Sequence, residues 1–280
     1  MGLRLHAVPA SRGARWIGDA FVTWWRRPLG FIGLFMFLLF GAMLLMTIPV
    51  VGGLLGLGLL PLLTLGFMIA TRSALQGGPV HALQAFEGLR GPNTKRRNAQ
   101  LLLCALYALA SIGVIELAAW IDEGLFTQLQ RAMANPATAP AEIKRLLSDP
   151  RLASGMLARF GLAGVLSVPF WHAPALVHWG GQGAFQALFS SSLALWRSRA
   201  AFVVYALGWT ALAMVLGLLI TLLAGLLGDL RLLSLLVTPL GLVMSAVFYV
   251  SLWFSYADSF GDDAAPPITP PSTPAFTPPA

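Results

Sequence analysis

The sequence predicts an all-α, polytopic integral membrane protein: six transmembrane helices arranged as three helical hairpins, with interfacial amphipathic helices preceding them. Three observations carry this. Of 280 residues, 57% are apolar and only 10% charged, with a mean hydropathy of +0.76, whereas a water-soluble domain carries roughly 25% charged residues and under half apolar ones. A soluble globular fold is excluded. The 42 residues from Leu29 to Ala70 hold no charge at all. Further apolar runs of bilayer length follow, separated by segments rich in Arg, Lys and Trp.

Crossing a hydrocarbon core of roughly 30 Å takes about 20 helical residues, and the backbone must satisfy its own hydrogen bonds there. The run from Leu29 to Ala70 corresponds to about 63 Å of helix, so it is two spans with a break at Pro49, Gly52 and Gly53. Gln100 to Ile121 is the third span, interrupted only by Glu116. Phe160 to His178 is the fourth and contains Pro169, His172 and Pro174. Ala200 to Leu227 and Leu232 to Ala257 are the fifth and sixth, joined by a tight turn at Gly228, Asp229, Leu230 and Arg231. The domain plan is a cytoplasmic amphipathic segment over 1–28, a transmembrane domain over 29–257 and a proline-rich cytoplasmic tail over 258–280.

Charge sets the expected orientation. Residues 1–28 hold five basic side chains, 72–100 hold five and 179–199 hold two, against six on the opposite face, most of them far from a span end. Excess Lys and Arg near span ends marks the cytoplasmic side, so both termini are predicted to be cytoplasmic in a bacterial inner membrane. The net charge of +7 collects beside apolar runs, so the expected anionic partner is the lipid headgroup and not nucleic acid. Protein partners are left open. The one cysteine, Cys104, makes an intrachain disulfide impossible. About 28 residues precede the first apolar run without a small-residue cleavage pattern, so that run is expected to stay as an anchor.

Before span one, Trp16, Ile17, Ala20, Phe21, Trp24 and Trp25 recur at helical spacing, with Arg12, Arg15, Asp19, Thr23 and Arg26 between them. This is the pattern of an amphipathic helix lying in the interface. Headgroup contacts are expected from Arg12, Arg15, Trp16, Trp24, Trp25, Arg26 and Arg27, and from Arg96, Arg97, Trp196 and Arg197 before spans three and five. A weak repeat supports the hairpin plan. Gly77 and Phe86, then Gly180 and Phe189, share a nine-residue spacing ahead of spans three and five, and each even span carries a proline, at Pro61, Pro169 and Pro239.

Asp122 to Leu157 is the one sizeable outer loop, with four acids and four bases. Two short helices are expected there, around Leu125–Met133 and Ala141–Leu147, as a small cap. The tail from Ala264 to Ala280 has seven prolines in 17 residues, a composition that gives extended, disordered chain.

An ionisable group inside a span is a candidate functional site, because burying it is costly unless it is paired or wet. Glu116, Arg159 and His172 form the candidate intramembrane polar set. From the cytoplasmic ends Glu116 lies about 22 Å up span three, His172 about 9 Å up span four and Arg159 about 28 Å up. A Glu116–Arg159 contact near the outer interface is therefore expected, and a Glu116–His172 pair is not. Pro169 and Pro174 loosen the helix around His172. The sequence holds no H-E-x-x-H, G-x-S-x-G or G-x-x-x-x-G-K-[ST], so no catalytic residue, metal or cofactor is assigned.

Val8 to Gly13, Trp16 and the Arg26, Arg27, Pro28 entry to span one, with Gly66–Met68, Ala173–Val177 and Phe248, Tyr249, Ser251 and Tyr256, resemble a family of uncharacterised six-helix inner-membrane proteins of Proteobacteria. The resemblance covers most of residues 5–260 and implies an integral protein without assigning an activity. A more distant, architectural likeness is to the membrane domains of glycerophosphodiester phosphodiesterases. The functional expectation is a non-enzymatic inner-membrane protein that organises lipid or partner proteins. The competing expectation is a small transporter or channel using Glu116 and the broken helix around His172.

Overall fold

The structure, a computed structural model, describes residues 4–49, 51–90, 92–135, 137–227 and 230–261. Six helical stretches are long and apolar enough to cross a membrane: Pro28–Met46, Gly52–Leu75, Thr94–Ile121, Pro150–His178, Arg199–Leu223 and Val237–Phe260. No strand occurs among the described residues. The chain is an all-α polytopic membrane protein. The predicted turn at Gly228 and Asp229 and the proline-rich segment over 264–280 lie outside the described residues.

Helix α1 (Ser11–Arg26) precedes α2 (Pro28–Met46), the first span. The break falls where Pro49 and Gly52 put it, and Gly52 rests against the Leu45 carbonyl, where a Cβ has no room. Helices α3 (Gly52–Gly58) and α4 (Leu60–Leu75) together make span two. A 3₁₀ helix over Ala82–Leu89 leads to α5 (Thr94–Ile121), the third span, whose start is capped by Asn93 accepting the Arg96 N–H at 3.1 Å. The short helices α6 (Leu125–Ala134) and α7 (Pro140–Leu147) occupy the loop where two were expected.

Span four differs from expectation at its start. Helix α8 (Pro150–Phe170) begins ten residues before Phe160, because Asp149 caps it by accepting the Arg151 N–H at 2.9 Å and Pro150 fills the first turn, where a missing N–H costs nothing. Arg151 and Arg159 are consequently helical. After a break at Trp171 and His172 come α9 (Ala173–His178), α10 (Ala184–Arg197), α11 (Arg199–Leu227) and α12 (Leu230–Phe260). The last helix passes the predicted end at Ala257, which makes Asp258 a residue of its final turn.

The chain divides into two compact units. The first comprises residues 1–34, 67–84 and 196–280, and in it α1 packs on α11 and α12. Its core holds Trp16, Phe31, Phe67 and Met68, all fully buried. Phe67 stacks on Phe31 at 6.2 Å and tilts against Tyr249 at 5.3 Å. The second unit comprises residues 35–66 and 85–195, and its centre is α5, packed on α3, α8 and α9. Under α6 and α7 a satellite core forms from Leu125, Leu129, Leu146 and Leu152, with Phe126, Ile143 and Met156 against it.

The segments ahead of spans one, three and five each pack closely on a span. In the first unit α1 rests on α11 and α12, with Gly13 against the Ala201 backbone. In the second unit Ala85 of the 3₁₀ helix lies on Gly66 of α4, where an added Cβ comes within 2.6 Å of the Ala85 Cα, and Ser191 of α10 bonds to the end of α8. Small side chains make each of these approaches possible.

Candidate functional site

In the first unit the site is built on α1. Its buried stripe, Gly13, Trp16, Ala20, Thr23 and Trp24, faces α11 and α12. Gly13 meets the Ala201 and Tyr205 backbone so closely that a side chain does not fit. Trp16 is wedged between Phe202 and Tyr205, at ring distances of 5.1 and 5.8 Å. Three donors converge on the Asp258 carboxylate: Arg12 Nε at 2.6 Å, Arg12 Nη2 at 2.9 Å and Trp16 Nε1 at 2.7 Å. An acid in the last turn of a helix meets the partial negative charge of free carbonyls, and the fork of Arg12 offsets that. Upstream, the Val8 N–H donates to Ser198 Oγ at 3.1 Å and the His6 N–H to the Ser259 carbonyl at 3.0 Å. The segment from His6 to Trp16 is thus fixed at five points.

Hydrogen bonding to Asp258 raises the Arg12 pKa further, against the opposing effect of its partial burial. Burial pushes the Asp19 carboxyl above the ordinary carboxylate range, with Arg12 acting against the shift.

These contacts correct part of the headgroup assignment. Trp16 and Trp24 are buried in protein, and Arg12 is committed to Asp258. Apolar periodicity identifies the face of a helix that leaves water, but protein and lipid satisfy it equally. The opposite face of α1 is open: Arg15, Gly18, Val22, Trp25 and Arg26 recur at intervals of three and four and are exposed, Trp25 at 77%. Arg27, Arg97 and Arg197 are exposed, Trp196 is exposed at 70%, and Arg96 is half-buried.

In the second unit the break around His172 is filled by protein. An unbroken helix bonds the N–H of residue 172 to the carbonyl of residue 168. Here Ser191 Oγ stands between them, accepting from the His172 N–H at 3.0 Å and donating to the Val168 carbonyl at 3.0 Å. An inserted side chain is one of the recognised causes of a helix kink. Gln100, fully buried, donates its side-chain amide to the Pro174 carbonyl at 2.7 Å. His172 is itself fully buried.

The expected Glu116–Arg159 contact does not form. Arg159 pairs with Asp122, which is fully buried, and lies over the Phe126 ring at 4.5 Å. Asp122 also accepts the Gly124 N–H at 3.0 Å. Gly155 clears the space, since a Cβ there lies 2.5 Å from the Asp122 Cβ. Asp122 closes the carboxyl end of α5, six residues beyond Glu116. Glu116 is exposed, so the structure does not gather Glu116, Arg159 and His172 into one site. Beside the Arg159 pair, Arg151 bridges Glu123 at 2.6 Å and Asp149 at 3.0 Å.

Comparison with known proteins adds one relative. The chain is 30% identical over 256 residues to a protein of Burkholderia thailandensis named "probable inner membrane protein", in an alignment covering 91% of this chain and 93% of that one. No family model matches the chain, and no solved structure matches it. The likeness to glycerophosphodiester phosphodiesterase membrane domains has no support and is not carried further.

Proposed function

We propose a non-enzymatic, lipid-organising role for this chain, which belongs to the family of the Burkholderia thailandensis inner membrane protein. One observation carries the proposal: α1 is rigidly seated on one side and displays cations and an aromatic ring on the other. A free amphipathic helix loses its order when it leaves the surface. An α1 held by Arg12, Trp16 and Asp258 keeps Arg15, Trp25 and Arg26 in one line. Fixed arginines beside a tryptophan suit the phosphate and glycerol level of a bilayer, each cation near an anionic surface contributing about 1 kcal/mol. With both termini on the cytoplasmic side, as the distribution of basic residues supports, this line of side chains faces the inner leaflet and concentrates anionic lipid there.

The test is retention of lipid. The full-length chain is reconstituted in phosphatidylethanolamine and phosphatidylglycerol vesicles, re-extracted in mild detergent and its bound lipid weighed by native mass spectrometry. Replacing Arg15, Trp25 and Arg26 together by Ala is expected to cut retained phosphatidylglycerol by about tenfold, the equivalent of 1.4 kcal/mol. Equal retention by the two proteins overturns the proposal.

A further inference from the structure

Glu116 carries a carboxylate on the outside of a transmembrane helix. It is exposed, and among the described residues it makes no ion pair or hydrogen bond. The cation within reach in sequence terms, Arg159, is taken by Asp122. The face around Glu116 is otherwise apolar: Leu109 and Ile112 below it and Trp120, 77% exposed, one turn above. Gly113 lies on the same stripe with nothing within 4 Å of where its Cβ would be, which leaves a notch in which another helix can come close. A charge on a lipid-facing surface is costly and calls for a partner of opposite sign.

The geometry points to a docking face for a transmembrane helix of a partner protein that carries one Lys or Arg in its outer third, the cation on Glu116 and the backbone over Gly113. This goes beyond the lipid-organising role of α1 and names the chemistry of a protein partner. Depth and charge select the occupant. Interfacial tryptophans sit at headgroup level, and Glu116 lies a helical turn deeper than Trp120, below the amines of lipid headgroups. A second copy docked face to face brings two carboxylates together. Of the other cations towards that end whose side chains are described, Arg131, Lys144 and Arg145 belong to α6 and α7, outside the spans, and Arg151 is engaged by Glu123 and Asp149.

The experiment uses the full-length chain, labelled at its carboxyl end, in the same mixed vesicles. Energy transfer is titrated with synthetic Leu-rich peptides of about 20 residues, either uninterrupted or bearing one Lys five residues from an end. The Lys peptide is expected to associate with the wild type at least about threefold more tightly than the plain peptide, and Glu116→Gln is expected to abolish the difference. Gly113→Leu, at a position where nothing lies within 4 Å of an added Cβ, is expected to weaken the Lys peptide with the charge intact. Equal binding of both peptides, undiminished binding by E116Q, loss of self-association in E116Q, or a change confined to retained phosphatidylethanolamine each overturns the assignment. Phosphatidylglycerol retention in the same preparation reports on α1 and is unchanged by E116Q, so failure of the lipid role and failure of the docking face are separable.

Discussion

Arg12 and Asp258, 246 positions apart, meet as a two-pronged ion pair at 2.6 and 2.9 Å. The pair joins α1 to α12. Both side chains are less than one-third exposed, and Trp16 adds a third donor to the same carboxylate, so the contact is stronger than an ordinary surface salt bridge.

Removing either partner therefore loosens α1. Arg12→Ala and Asp258→Asn are each expected to lower stability by about 1–3 kcal/mol, read by tryptophan fluorescence during unfolding in mild detergent. Arg12→Ala with Asp258→Asn is expected to cost less than the sum of the two single changes. Strict additivity speaks against the pair.

Asp19 gives α1 a pH dependence of definite sign. Burial raises its folded-state pKa above the ordinary aspartate value of 3.8, so the ionised carboxylate costs the folded state. That cost is absent below the unfolded pKa and develops as pH rises through the folded one. Asp19→Asn is expected to stabilise the protein at neutral pH, with its advantage shrinking as the medium is acidified towards 3.8. A constant difference across that range contradicts the sign.

Ser191 has no apolar substitute. Ser191→Ala leaves the His172 N–H and the Val168 carbonyl without the hydroxyl that joins them, at an expected cost of about 1–3 kcal/mol. Hydrogen exchange at the 168–172 amides is the direct readout, and unchanged protection argues against the inserted hydroxyl.

The Asp122–Arg159 pair is tested against the pairing that sequence arithmetic favoured. Double-mutant cycles are expected to find Asp122 and Arg159 coupled, with Glu116 and Arg159 additive. Gly155→Ala is expected to cost about 1–3 kcal/mol by overpacking, because its Cβ enters the space of Asp122. Full stability in the alanine variant removes the basis for that placement.

The six spans were legible because the requirement that puts them in a bilayer is local: length, apolarity and the absence of charge are all read along one segment. The start of α8 was missed, because apolarity places it at Phe160, while the signal lay in Asp149 as a cap and Pro150 behind it. What stayed hidden is long-range. Trp16 carries the same periodicity whether it meets a headgroup or Phe202 and Tyr205, and only the fold distinguishes them. Pro169 and Pro174 announced a break, but the hydroxyl filling it comes from residue 191. Depth arithmetic came within two turns of the partner of Arg159, and what it could not see was the glycine at 155 that makes room for Asp122.

The docking of α1 against α11 and α12 also reverses the usual sequence of events during biosynthesis. A nascent chain leaves the ribosome from its amino end, so α1 must wait for its complete seat until the sixth span has been delivered. Until then Trp16 can meet Phe202 and Tyr205 of α11, but Arg12 and the Trp16 indole N–H are without the Asp258 carboxylate that holds them in the finished fold.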